Sequence, residues 1–292
     1  CPQQRPELTA PCTHIMPGII ALLAICFASA AASSLSRPLS ARLLKLRGGE
    51  DDDPILGRLK KQGNIGPLSR EEIAEKLNTI PLFCIMQPDG SVISLPDPAG
   101  NKGDECCTFF SDAAEASSTL KKVIAANPGL SGLKLACHGL GDYIKMSDGW
   151  PRKAADASVA TVGAPRLKLQ GPREVTTAVG PQMVDALKVQ GLDPGTWQLA
   201  VFIAEELSQS TPEGEQILLP IFLNPNDVRA AFDKLGVPAK ALEGVKVMEL
   251  RMLLQSMSEP TPDAVNPWRA VRFIASPDAV ALAQDIEASA AK

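Results

Sequence analysis

From Ser69 onward the chain alternates short apolar runs with amphipathic stretches, each closed by turn residues. Ser69-Arg70-Glu71-Glu72 has the S-x-x-E spacing of a capping box, and Ile73, Leu77 and Ile80 follow at helical intervals. This predicts a short helix over 70–78. Pro81–Met86 is continuously apolar and is closed by Gln87-Pro88-Asp89-Gly90, after which Ser91–Leu95 alternates back, so the pattern predicts a β-hairpin. Cys106–Phe110 reads as another strand, and Ser111 or Asp112 caps a helix that runs to Ala126 and stops at Asn127-Pro128-Gly129. Leu133–Cys137 is a short strand followed by a helix carrying Leu140, Tyr143, Ile144 and Met146; the stretch from Ser147 to Ala164 is loop-like.

The same succession then returns. Leu199–Ile203 matches Pro81–Ile85. Ile221-Phe222 with the cap Asn224 and Asp227 matches Phe109-Phe110 with Asp112. Val245–Met248 and the helix after it match Leu133–Ala136 and its helix. Arg166–Leu169 with Pro172, and Ala270–Ile274 with Pro277, are each a strand, a proline-led turn and a helix. These pairs recur in order at offsets of about 104 to 119 residues. Strand-turn-helix grammar is common enough to recur by chance, but the ordered series favours duplication of one unit, with repeat halves over about 78–190 and 197–290. One unit alone leaves an apolar sheet face bare. The expected fold is therefore α/β (an α+β mixed sheet) of two pseudo-symmetric halves packed as one two-lobed body.

The segment before residue 54 reads differently. Residues 1–15 have the look of leader or gene-model extension. Residues 16–32 carry a 14-residue apolar run (Ile19–Ala32) ending in Ala28-Ser29-Ala30, the pattern of a signal peptide and too short to span a membrane. Residues 33–50 are rich in Ser, Leu and Ala, with Arg37, Arg42, Lys45 and Arg47 and no acidic residue before Glu50, which is transit-peptide composition. A single long signal sequence is the plainer alternative. Glu50–Asp53 then reverses the charge and marks the expected start of the mature domain, 54–292.

Composition narrows the function. The 292 residues hold 29 Lys+Arg against 33 Asp+Glu, with pI near 5.4, which disfavours general nucleic-acid binding. No phosphate loop, dinucleotide fingerprint or HExxH pattern occurs in the mature region. Of the two histidines, only His138 lies there, so a His-rich zinc site is not expected. Cys137-His138 suggests a nucleophile and base, but neighbours on a strand face opposite ways, so a buried Cys and a helix-starting His is the plainer reading. Cys84 pairs with Cys106 or Cys107 across strands, or all stay reduced in the core. Trp150, Trp197 and Trp268 serve as rim contacts or as clamps on chain reversals. Met248, Met252 and Met257 accompany Leu250, Leu253 and Leu254 on one expected helix. This stripe is either core or an adaptable apolar groove, and Met248, Met252, Leu253 and Met257 are the candidate client-binding residues.

Lys76-Leu77, Ile80-Pro81-Leu82-Phe83 and Phe110-Ser111-Asp112-Ala113, with Val201-Phe202-Ile203 and Leu219–Val228 in the second half, resemble the Tic-twenty-two family. The resemblance covers nearly all of residues 70–290, through diffuse packing patterns. It implies a non-enzymatic, cofactor-free factor associated with the chloroplast inner-envelope import translocon, acting in the intermembrane space. It further implies a chaperone-like role toward preproteins and their transit peptides, contact with outer- and inner-envelope translocon subunits, and at most peripheral membrane association. The rival expectations are a structural subunit of a plastid membrane complex, a stromal location, and an α/β enzyme using Cys84 or Cys137.

Overall fold

The computed structural model describes residues 63, 65–97, 104–156, 166–210, 217–261 and 265–290. The expected leader, signal and transit segments (1–15, 16–32 and 33–50), with His14, lie outside the described residues. Helix α1 (Arg70–Leu77) begins as its sequence dictates: the Ser69 N–H donates to Glu72 Oε2 at 2.8 Å, and the Glu72 N–H donates to Ser69 Oγ at 3.2 Å. Its apolar stripe, Ile73, Ala74 and Leu77, is fully buried.

Strand β1 (Pro81–Met86) is central in the first sheet, antiparallel to β3 (Glu105–Phe110) on one side and β4 (Lys134–Gly139) on the other. With both edges of β1 committed, the expected hairpin shrinks to a turn closed by the single bridge Met86↔Val92. The returning chain forms β2 (Leu95–Pro96) against the start of β3 instead. Strand β5 (Leu167–Gln170) runs parallel to β3. The second sheet repeats this arrangement: β6 (Ala200–Ile203) lies between β8 (Ile217–Phe222) and β9 (Lys246–Glu249), β7 (Gln209–Ser210) pairs with the start of β8, and β10 (Val271–Ile274) is parallel to β8. The pairing of Phe83 with Phe110 is matched by that of Phe202 with Phe222.

The helices repeat too. α2 (Ala113–Ala126) and α3 (Leu140–Met146) in the first half correspond to α5 (Pro225–Lys234) and α6 (Leu250–Ser258) in the second. α4 (Arg173–Val189) and α7 (Pro277–Ala290) each follow the last strand of their sheet. Ile80 and Leu199 are the true equivalents, since the carbonyl of each accepts from the first N–H of the matching helix, Leu140 and Leu250, at 2.9 Å. The sequence match places Leu199 on Pro81, one residue off, and in a sheet one residue exchanges the faces. Likewise Val247 stands where Cys137 does, opposite the central Phe, not where Leu135 does.

Alternation sorts each strand's side chains into two layers. Leu82, Cys84 and Phe109 of the first sheet face Val201, Ile203, Ile221 and Phe273 of the second, with α1, α3 and α6 completing the central core. The outer faces are covered crosswise. Phe83 and Phe110 lie under α2 and α7, so the first sheet is covered by the helix that follows the second. Phe202 and Phe222 lie under α4 and α5, so the second sheet is covered by the helix that follows the first. The two sequence halves are therefore interleaved in space. No helix among the described residues is long and apolar enough to cross a membrane.

Candidate functional site

The four candidate client-binding residues are interior. Met248 lies on strand β9, not on the expected helix, because that helix starts at Leu250. Leu253 and Met257 are wholly inaccessible in the central core beside Met248. Met252 packs separately with Leu187 and Leu192 beneath α4. The apolar stripe of α6 is taken up by the central core and by the underside of α4, so these residues form no open groove.

The sequence reading missed what surrounds them. Glu249 caps α6 by accepting from the Arg251 N–H at 2.7 Å, and its carboxylate meets the Arg251 Nε at 3.2 Å, with Glu249 1% and Arg251 5% exposed. Burial pushes the Glu249 carboxyl up, and the Arg251 charge opposes that shift. Arg251 spends its remaining donors on the Asp193 and Trp197 carbonyls, at 3.0 and 2.7 Å, and lies 4.6 Å over the Trp197 ring. Gly195, at φ 55°, leaves that guanidinium its room. The one signal in the sequence was two opposite charges flanking Leu250 in an otherwise apolar run. Trp150, Trp197 and Trp268 are all buried, as clamps are; Arg70 lies 5.3 Å over Trp150.

An open cleft of about 260 Å³ lies where helix N-termini from both halves converge, lined by Asp112, Glu115, Arg173, Asn224 and Asn226 among others. Glu115 joins two helices there: its Oε1 accepts from the Arg173 N–H at 2.6 Å and its Oε2 from Gln170 Nε2 at 2.7 Å. Beside this cleft, Asp227 of α5 faces Asp112 of α2 and Asp278 of α7. Burial, and then those two negative charges, push its carboxyl up to about 6. No set of three or more His, Cys, Asp or Glu side chains among the described residues is placed to hold a metal ion.

The thiols are poorly placed for nucleophilic chemistry. Burial pushes Cys84 up to about 12, which keeps it protonated at neutral pH. Cys137 is also pushed up, by burial and then by the Glu287 carboxylate. It packs on the outer face of its sheet, while His138 is 5.8 Å from the Phe109 ring on the inner side and belongs to the strand, not to the helix start. Cys84, Cys106, Cys107 and Cys137 are all free thiols, so of the two readings the cross-strand pairing of Cys84 with Cys106 or Cys107 is not made.

No protein-family model matches the chain, and no curated relative matches its sequence. Solved structures do. Tic22 from Plasmodium falciparum superposes with a TM-score of 0.50 at 18% identity, covering 74% of this chain and 98% of that one. Anabaena Tic22, titled protein transport, gives a TM-score of 0.50 at 16% identity, covering 75% and 97%. The fold is Tic22-like. At such identities a Tic22-like fold fixes the arrangement of sheets and helices and leaves function to be argued from the chain.

Proposed function

We propose that this protein is a plastid protein-import factor that holds preproteins in the envelope intermembrane space, between the outer and inner translocons, without nucleotide or another cofactor. The carrying observation is the Tic22-like fold, which matches two Tic22 proteins over nearly their whole length, one of them titled protein transport. The presequence composition of residues 16–50 is that of a signal peptide followed by a transit peptide, and suits a plastid enclosed by additional membranes. The acidic balance of the chain favours encounter with basic transit peptides. Membrane association is peripheral at most, through translocon subunits of either envelope. Because Met248, Met252, Leu253 and Met257 are buried, client contact belongs to other surfaces of the folded protein.

The test is stepwise protease protection of plastids that contain the tagged protein, followed by photo-crosslinking to a preprotein arrested in transit. Digestion when the inner envelope becomes accessible, with crosslinks to the preprotein, supports the proposal. Protection until the innermost membrane is breached puts the protein in the stroma and overturns the location. Copurification with translocon subunits at fixed stoichiometry, with no crosslink to preproteins, replaces the chaperone-like role with that of a structural subunit.

A further inference from the structure

Strand β4 pairs with β1 along its whole length and, among the described residues, has no strand on its other side. The bond from the Leu140 N–H to the Ile80 carbonyl sets the phase of this antiparallel ladder. Lys134, Ala136 and His138 exchange bonds with β1, and the N–H and C=O of Leu135 and Cys137 point outward. All six residues of β4 are half-buried or exposed. The counterpart β9 has four residues, of which Met248 and Glu249 are buried. Strand β10, another edge, is blunted by side chains: Lys76 Nζ donates to the Val271 carbonyl at 3.2 Å, and Thr79 Oγ1 to that of Phe273 at 3.3 Å. A six-residue edge carrying one fixed charge is a feature that folded proteins usually cover or break up.

Two helices bring charge to this edge, α2 with the exposed Lys121 and Lys122 and α7 with carboxylates, and only a carboxylate of α7 is placed against Cys137. Helix α7 packs on β4, and residues 277–290 carry Asp278, Asp285 and Glu287 with no basic side chain. Asp285 and Glu287 are exposed, and Glu287 is near enough to act on the Cys137 thiol, which places a carboxylate beside the second half of the strand. Lys134 stands at the opposite end, across from Met86.

We propose that β4 is a docking edge for an extended client segment, which adds as a further strand beside Leu135–Cys137 and sets a basic side chain against Glu287. The inference rests on the client-binding reading above and supplies its mode of capture. Main-chain bonding tolerates varied sequences, as a carrier of many preproteins requires, and the carboxylate selects for the positive charge common to transit peptides.

The experiment measures amide hydrogen exchange residue by residue in the full chain, with a synthetic peptide of the sequence of residues 33–49 as basic probe. The same peptide with its four Arg and Lys replaced by Glu is the control. Binding of the basic probe is expected to slow exchange at Leu135 and Cys137 by ~10-fold or more and to leave Ala136 and His138, already bonded to β1, little changed. Glu287→Lys, at an exposed site, should weaken the probe about threefold. Protection by the Glu-substituted peptide overturns the charge assignment. Probe binding without slowing at Leu135 and Cys137 overturns the docking edge but leaves the client-binding reading standing. Slow exchange at both amides before any peptide is added means that the protein fills its own edge, and overturns capture in trans. Failure of the probe to bind, together with no preprotein crosslink in plastids, removes both readings.

Discussion

In the first half the chain passes from β4 into α3 through Gly139-Leu140-Gly141; in the second the equivalent passage, from β9 into α6, is Glu249-Leu250-Arg251. Leu140 and Leu250 do the same work, each fully buried and each donating its N–H to the residue before the central strand. Their neighbours do opposite work. A Cβ on Gly141 would come within 2.0 Å of the Ala74 carbonyl oxygen, and one on Gly139 within 2.3 Å of Asn78 Oδ1, because α1 is pressed against this turn. Asn78, at the end of α1, accepts from the Asp142 N–H at 2.9 Å and so caps α3 from outside. The second half has the irregular 190–199 segment in place of a helix. Its carbonyls at Asp193 and Trp197 need donors, and Arg251 provides them. The same kind of turn can thus be closed by removing side chains where a helix packs, or by a buried ion pair where a loop packs.

The largest test of this contrast is Arg251→Met. It leaves Glu249 buried without its charge partner and should cost about 3–5 kcal/mol in chemical denaturation, whereas adding Glu249→Leu should recover most of the loss. A cost below ~1 kcal/mol for the single change would show that the ion pair does not hold this turn closed. Met257→Ala, on the part of α6 that extends beyond the length of α3, should lose about 2–5 kcal/mol by leaving a cavity in the central core. Preprotein affinity per folded molecule should hold in that variant, and a drop in affinity with unchanged stability would return α6 to the client surface. Gly141→Ala should cost about 1–3 kcal/mol, because the obstructing atom is backbone and α1 must move.

The smallest effect concerns the seam between halves. Folded Asp227 keeps its proton to about pH 6, whereas the unfolded chain ionises it in the ordinary aspartate range. The folded state therefore binds more protons between those limits, so stability falls as pH rises from about 4 to about 6 and this contribution stays low above that. Asp227→Asn should flatten that decline and stabilise the protein by about 1–2 kcal/mol at pH 8. Thermal melts of both proteins across pH 4–8 will read it, and parallel curves would sink the idea.

Much of the fold is legible because local chemistry decides it. The capping box at Ser69–Glu72, the stops at Asn127-Pro128 and the strand ends that become caps at Asp112 and Asn224 all act within a few residues. The repeat was readable in outline but not in register, since apolar strand residues look alike and only the Phe83–Phe110 and Phe202–Phe222 pairs fix which faces which. The burial of Met248, Met252, Leu253 and Met257 was not readable: a 3.6-residue stripe is the same whether a second sheet or a client covers it. Nor could sequence show that α4 and α7 cross between sheets, because an amphipathic face specifies an apolar partner and not which one.

That crossing sets a timetable. As the chain leaves a ribosome or a membrane pore N-terminus first, the strands of the first sheet are all present once Gln170 has emerged. The Phe83 and Phe110 side of that sheet has only α2 over it, and stays partly uncovered until residues 277–290 arrive. In the meantime Val175, Val179 and Met183 on α4 wait, uncovered, for a second sheet that has not yet been made. Neither half can finish alone, so the chain stays loose and threadable until its last helix clears the exit, and it then closes as a whole.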